Sequence, residues 1–181
     1  TLRGLTPLEQ VRALRAGSLD VALLGNPPAS WKREFATCCL SSVPIIALLP
    51  GEHPLAGRPT LKLAALAADS FVGLAESTFP GRNHCIQEAC ERAGFLPRFA
   101  AFADSFPALS SLVAGGVGIA LAPESITRLP LAGIHVAQLR QPRVAAESIA
   151  AWRADDRRPA LRATVKLLRD SQPQPDPARV R

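Results

Sequence analysis

Apolar positions along the chain fall into short runs of two kinds. Leu19-Asp20-Val21-Ala22-Leu23-Leu24, ended by Gly25-Asn26-Pro27-Pro28, reads as a buried strand closed by a turn. Strand-like runs recur at 43–49, 71–74, 98–102, 117–122, 135–139 and 148–152. Between them the period changes to that of a helix. Thr6-Pro7-Leu8-Glu9 starts the first: Thr supplies a capping oxygen, Pro suits the first turn, and Glu three residues on completes a capping box. Leu8, Val11, Leu14 and Leu19 mark its apolar side, and Gly17 fits its stop. Further helices are predicted over 82–93 (closed by Gly94), 106–114 (closed by Gly115-Gly116), 124–129 and 159–169. Alternating strands and helices imply an α/β fold with largely parallel sheets. The segment 170–181, with Pro173, Pro175 and Pro177, reads as a disordered tail.

Three helices begin at the chain start or just after a predicted strand: near Thr6, near Pro80-Gly81 and near Ser105. In open α/β sheets the carboxyl ends of strands and the amino ends of the following helices form the ligand crevice. Free backbone N–H groups and the helix dipole favour an anion there. The architecture itself therefore proposes a cleft for a small anion, a signal too generic to name a function.

Composition narrows the class. With 48% apolar residues in 181, wholesale disorder is excluded and a real core is affordable to the chain. No apolar run reaches the length of a membrane span, and no segment reads as a signal peptide. A chain opening Thr1-Leu2-Arg3 with no Met reads as a piece of a longer protein. The net charge is +6, and ten of the 21 bases lie between Arg140 and Arg181. That segment holds one aromatic residue, Trp152, so it lacks the stacking platform of a single-strand nucleic-acid surface and reads as a solvated basic face. Four Cys, with Cys38 next to Cys39 and Cys85 five before Cys90, match no disulfide scaffold and no C-x-x-C; reduced thiols in a cytoplasmic setting are the simplest account.

Catalytic chemistry finds little support. There is no G-x-S-x-G elbow, no G-x-G-x-x-G and no P-loop. Gly115-Gly116-Val117-Gly118 reads as a helix cap before a buried strand. His84, Cys85 and Cys90 do not have metal-ligand spacing. His53, in a Pro/Gly-rich turn, reads as a loop histidine. Asp155-Asp156, flanked by Arg153, Arg157 and Arg158, reads as a solvated salt-bridging turn that caps the next helix. No nucleophile, base and oxyanion site assemble, so no enzyme, no cofactor and no metal are expected.

Several stretches together carry a resemblance. They are the segment from Leu5-Thr6-Pro7-Leu8-Glu9-Gln10 to Leu19-Asp20-Val21-Ala22; Leu49-Pro50-Gly51-Glu52-His53-Pro54-Leu55-Ala56; Ala93-Gly94-Phe95-Leu96-Pro97; Leu112-Val113-Ala114-Gly115-Gly116-Val117-Gly118 running on to Pro123; and Ala151-Trp152-Arg153-Ala154-Asp155-Asp156. Each is weak alone, but five in this order and spacing are specific. The chain resembles the effector-binding (co-inducer) domain of LysR-type transcriptional regulators over nearly all of residues 2–170. The resemblance implies a two-lobed, type 2 periplasmic-binding-protein-like fold with mixed, largely parallel sheets and a cleft between the lobes. Lobe I is expected at 1–41 plus 144–170, lobe II at 42–143, and a disordered tail at 171–181. It also implies that the family's DNA-reading domain and the first strand–helix unit of lobe I are absent. The isolated chain is then expected to be unstable or aggregation-prone, which a soluble, cooperatively melting 181-residue chain would contradict.

By the same resemblance, Thr6 faces the cleft from lobe I. Ser77, Thr78, Pro80, Gly81 and Arg82 hold an effector from lobe II, with Ser105 and Phe106 lining a further turn. Plainer readings stand beside these: Thr6 as a cap, Pro80-Gly81 as a turn, Arg82 as a solvated helix residue. Many family members carry an Arg just after the strand that ends at Leu24, where it pairs with an effector carboxylate; here Gly25 and Asn26 stand there. That leaves three readings open: a less acidic effector, a neutral one, or a carboxylate whose charge Arg82 meets. The implied partners are a small-molecule effector, a second copy of the chain in a homo-oligomer, and DNA through the missing domain only; no membrane is implied. A solute-binding protein for transport is the alternative on the same fold, and an enzyme on the same scaffold comes third.

Overall fold

The computed structural model describes residues 2–170, so Thr1 and the tail expected at 171–181 lie outside the described residues. In chain order the elements are α1 (Pro7–Arg15), β1 (Ala22–Gly25), α2 (Ala29–Glu34), β2 (Phe35–Pro50), β3 (Thr60–Leu61), β4 (Ser70–Leu74), α3 (Arg82–Arg92), β5 (Arg98–Ala103), α4 (Phe106–Ala114), β6 (Ala120–Pro123), β7 (Ile134–Leu139), β8 (Ala145–Arg153) and α5 (Pro159–Asp170). The helix predicted over 124–129 is a 3-10 turn, Glu124–Arg128. A further 3-10 turn spans Leu63–Leu66.

The α1 start follows from its residues. Thr6 Oγ1 accepts from the Glu9 N–H at 3.4 Å while the Glu9 carboxylate accepts from the Thr6 N–H at 2.8 Å, so the capping box closes both ways. Gln10 then ties the helix to β1: its Nε2 donates to the Leu5 carbonyl at 3.0 Å, and its Oε1 accepts from the Leu23 N–H at 2.8 Å.

β2 organises the sheets. Its first part, Phe35–Pro44, runs antiparallel to β8, with an irregularity between Cys39 and Ser41. Its second part, Ile45–Pro50, pairs antiparallel with β6 and β7. β1 pairs antiparallel with the other edge of β8, giving the order β1-β8-β2-β7-β3. β3 on β7 and β4 on β5 are parallel. The sheets are mixed, as expected, but the expected predominance of parallel pairing is corrected: four of the six ladders among the described residues are antiparallel. Alternation of strands and helices in the sequence shows which elements exist, and it does not show which strand a late one such as β8 returns beside.

The cores follow the sheets. Ile45, Ala47 and Leu49 point to one side with Leu63, Phe71 and Ile119, while Ile46 and Leu48 point to the other with Val72, Val113 and Ala122. Burial on both faces explains the continuous apolar run in β2. A third cluster joins Val11, Leu14, Leu24, Trp31 and Phe35 to Ile149, and a fourth joins Cys38 and Ala150 to Leu161 and Val165, with Trp152 half-buried against it. The turn into β6 runs beside β4 in a single parallel bridge, Phe71 to Ile119: the Ile119 N–H donates to the Ser70 carbonyl at 2.8 Å, and a Cβ on Gly118 would lie 2.5 Å from that same oxygen.

Candidate functional site

The turn after β1 and the amino end of α3 meet. A Cβ on Gly81 would lie 3.0 Å from Pro28 Cγ, so the Gly25-Asn26-Pro27-Pro28 turn lies against Pro80-Gly81. Gly81 has φ +80°, a conformation that glycine adopts without steric cost.

Asn26 is shaped by the opposite strand. It is 8% exposed with φ +44°; its N–H donates to the Glu147 carbonyl at 2.9 Å, and its Oδ1 accepts from the Glu147 N–H at 2.6 Å. The side-chain oxygen therefore continues the β8 ladder, as Asn does in left-handed turn positions. Gly25 stands opposite Ser148 in that ladder. Lys32 forms an ion pair with the Glu147 carboxylate at 3.0 Å.

On the other side, the loop from Ala75 to Gly81 coils back on itself: the Thr78 and Phe79 N–H groups both donate to the Ala75 carbonyl, at 3.0 and 2.8 Å. Ser77 is exposed, and Thr78 and Pro80 are half-buried. The Glu76 carboxylate accepts from the Gly81 N–H at 2.7 Å and from the Asn83 N–H at 3.4 Å. Asn83 pins α3 to β4, donating Nδ2 to the Leu74 carbonyl at 2.6 Å and accepting the Leu74 N–H at 3.1 Å.

Arg82 departs from its reading as a solvated helix residue. It is 7% exposed, and Nη2 donates to the Leu121 carbonyl at 3.2 Å while Nη1 is buried without a partner among the described residues. It lines a void of about 10 Å³ with Val72, Leu74, Leu109 and Leu121, room for about one water. Burial pulls its guanidinium down to about 10, which still leaves it charged at neutral pH. Its place on the first turn of α3 gave no sign of this, because the side chain folds under the helix.

Ser105 caps α4, its Oγ accepting the Ala108 N–H at 3.3 Å. Phe106 sets its ring edge-on to Phe79, 5.6 Å between centroids. Thr6 makes its hydrogen bonds inside the first turn of α1. Sequence reasoning missed Gln10, Glu76, Asn83 and Glu147. The signal for Glu76 was a helix whose capping position is a glycine, which has no side chain of its own to offer the first-turn amides.

None of the expected site residues lines the roomier groove, of about 520 Å³, which lies between β8 and α5 and is walled by Trp152, Asp156, Leu161, Val165 and Arg169. Asp156 there is a correction. Expected as a solvated turn residue, its side chain is 5% exposed and accepts from Arg153 and Arg158. Arg153 Nη1 reaches on to the Leu14 and Leu19 carbonyls, at 3.0 and 3.1 Å, and so ties α1 to the end of β8. His53 sits in its loop between two partners, Nδ1 accepting the Leu55 N–H and Nε2 3.1 Å from Asp69.

The chain belongs to the LysR substrate binding domain family, whose sequence profile matches residues 1–173. It is 25% identical over 166 residues to the HTH-type transcriptional regulator AlsR of Bacillus subtilis (strain 168), covering 92% of this chain and 54% of that protein. The chain thus spans about half the length of the curated relatives it matches. Among solved structures, CbnR, a LysR family transcriptional regulator, superposes with a TM-score of 0.79 at 22% identity, over 96% of this chain and 59% of that one. The effector binding domain of QuiR in complex with shikimate gives 0.77 at 16% identity, over 91% and 77%. These likenesses place the fold among the type 2 periplasmic-binding-like effector domains.

Proposed function

We propose that this chain is the effector-sensing segment of a LysR-type DNA-binding transcriptional regulator, and that a small molecule binds between the turn after β1 and the amino ends of α3 and α4. The observation that carries the reading is the approach of Pro28 to Gly81, which sets the turn after β1 against the amino end of α3. Residues 1–41 with 144–170 form one lobe of this reading and 42–143 the other. Ser77, Thr78 and Phe79 lie in the loop that leads to Gly81, and the Phe79 ring meets that of Phe106. A ligand that contacts both sides favours the closed arrangement over an open one, and only that difference in affinity can drive a switch. Closure repositions the copies of a cytoplasmic homo-oligomer and, through the DNA-binding domains of the full regulator, its grip on the operator. The chain performs no reaction in this scheme.

A melting-temperature screen of small metabolites on the purified chain tests it. A true effector raises the melting temperature saturably, and Thr78→Trp, which fills the proposed site, weakens it at least tenfold. A ligand whose binding ignores Thr78→Trp places the site elsewhere and sinks the reading.

A further inference from the structure

We propose that Glu76 sets the charge of the effector: its carboxylate already occupies the amide groups at the start of α3, so the ligand presents an uncharged group there and no carboxylate. This rests on the sensing role proposed above and narrows its ligand class.

The first turn of a helix offers unpaired N–H groups that attract an anion. Here Glu76 takes two of them, Gly81 at 2.7 Å and Asn83 at 3.4 Å, one through each carboxylate oxygen. Gly81, at the capping position, has no side chain that could do this instead. The cations that could receive a ligand's acid are turned away or paired. Arg82 turns inward and donates to the Leu121 carbonyl. Gly25 has no side chain. Lys32, the cation nearest the turn after β1 in sequence, is paired with Glu147. An incoming carboxylate would have to displace the Glu76 carboxylate from these amides and would meet its like charge beside them. What remains suits a neutral ligand: the hydroxyls of Ser77 and Thr78 for its polar end, and the half-buried rings of Phe79 and Phe106 for an apolar one.

Acetate serves as the probe, titrated against chloride at constant ionic strength. The parent chain should melt at the same temperature in both salts. Glu76→Ala should regain a carboxylate site, binding acetate at least tenfold more tightly than the parent and melting higher as it fills. Acetate acting equally on both proteins overturns the proposal, and so does acetate acting on neither. Should Glu76→Ala not fold, the parent alone decides through the amide resonance of Gly81: it stays fixed on adding acetate if Glu76 holds the position, and its movement overturns the proposal. A carboxylate effector recovered from the screen that moves the Gly81 resonance in the parent overturns it too. The acetate experiment needs no effector, so its failure leaves the sensing role standing, and failure of the metabolite screen leaves the Glu76 result readable.

Discussion

Arg82 shows how far a single residue can depart from its sequence context. A buried guanidinium with one satisfied hydrogen bond and no carboxylate partner gains little from its charge, yet its stem fills core volume. Two substitutions separate these effects. Arg82→Ala should cost about 2–4 kcal/mol in urea unfolding by leaving a cavity. Arg82→Met, which keeps the volume and drops the charge, should cost less than about 1.5 kcal/mol. Equal losses would show that the charge matters more than the packing. Asp156 makes the opposite case, a charge well provided for. Hydrogen bonds from Arg158 hold its carboxyl down to about 2, below its ordinary 3.8. A depressed carboxyl contributes stability above its unfolded value and loses it as the pH falls through the folded one. The melting temperature should therefore fall between about pH 4 and pH 2 partly through this group, and Asp156→Asn should flatten that part of the curve. The Asp-Arg pairing was legible in the flanking Arg residues; its burial was not, because that depends on Arg153 reaching across to α1.

At the scale of elements, what the sequence shows best is what is coded locally. The capping box at Thr6, the stops after α3 and α4, and the apolar run in the second half of β2 all rest on neighbours a few residues apart. The elements that were missed lack such marks. α2 has six residues, too few to display a helical period, and Phe35–Ser42 mixes small polar and apolar residues without alternation. The direction of strand pairing depends on partners far along the chain and was misjudged for that reason. Gly118 belongs to the same class: read as part of a cap, it is required by the contact between two elements. Gly118→Ala puts a methyl 2.5 Å from the Ser70 carbonyl oxygen, where backbone must shift, and should lower stability by at least about 1–3 kcal/mol. A melting temperature unchanged from the parent would show that the contact between β4 and the turn into β6 gives way easily.

For the whole molecule, the open question is how the sheet ends. β1 pairs with β8 on one side only, and Leu23 on it is 50% exposed. Gln10 covers one outward N–H of that strand, at Leu23, and so partly blunts the edge. The chain alone should still self-associate along β1. Leu23→Lys should raise the monomer fraction in sedimentation, and an unchanged distribution would move the sticky surface elsewhere. A cleft was expected where helix starts meet strand ends, and the structure shows the turn after β1 lying against the start of α3. The charge pattern there was not legible, since it hangs on Glu76 and Asn26 each finding a partner that no motif announces.

The long strand β2 has a mechanical consequence. Its first part lies beside β8 in one set of contacts, its second part beside β6 and β7 in another, and the Ile45 N–H bonds the Val144 carbonyl where the two meet. Two neighbouring segments thus run side by side where the two sets of contacts meet, like the paired leaves of a flexure bearing. Their mutual hydrogen bonds resist sliding and stretching, and the irregularity between Cys39 and Ser41 leaves twist as the soft direction. Any stroke of one side against the other is then a rotation about a fixed axis. In the sensing role proposed above, a ligand held at Pro28 and Gly81 acts on that axis as torque rather than as a push.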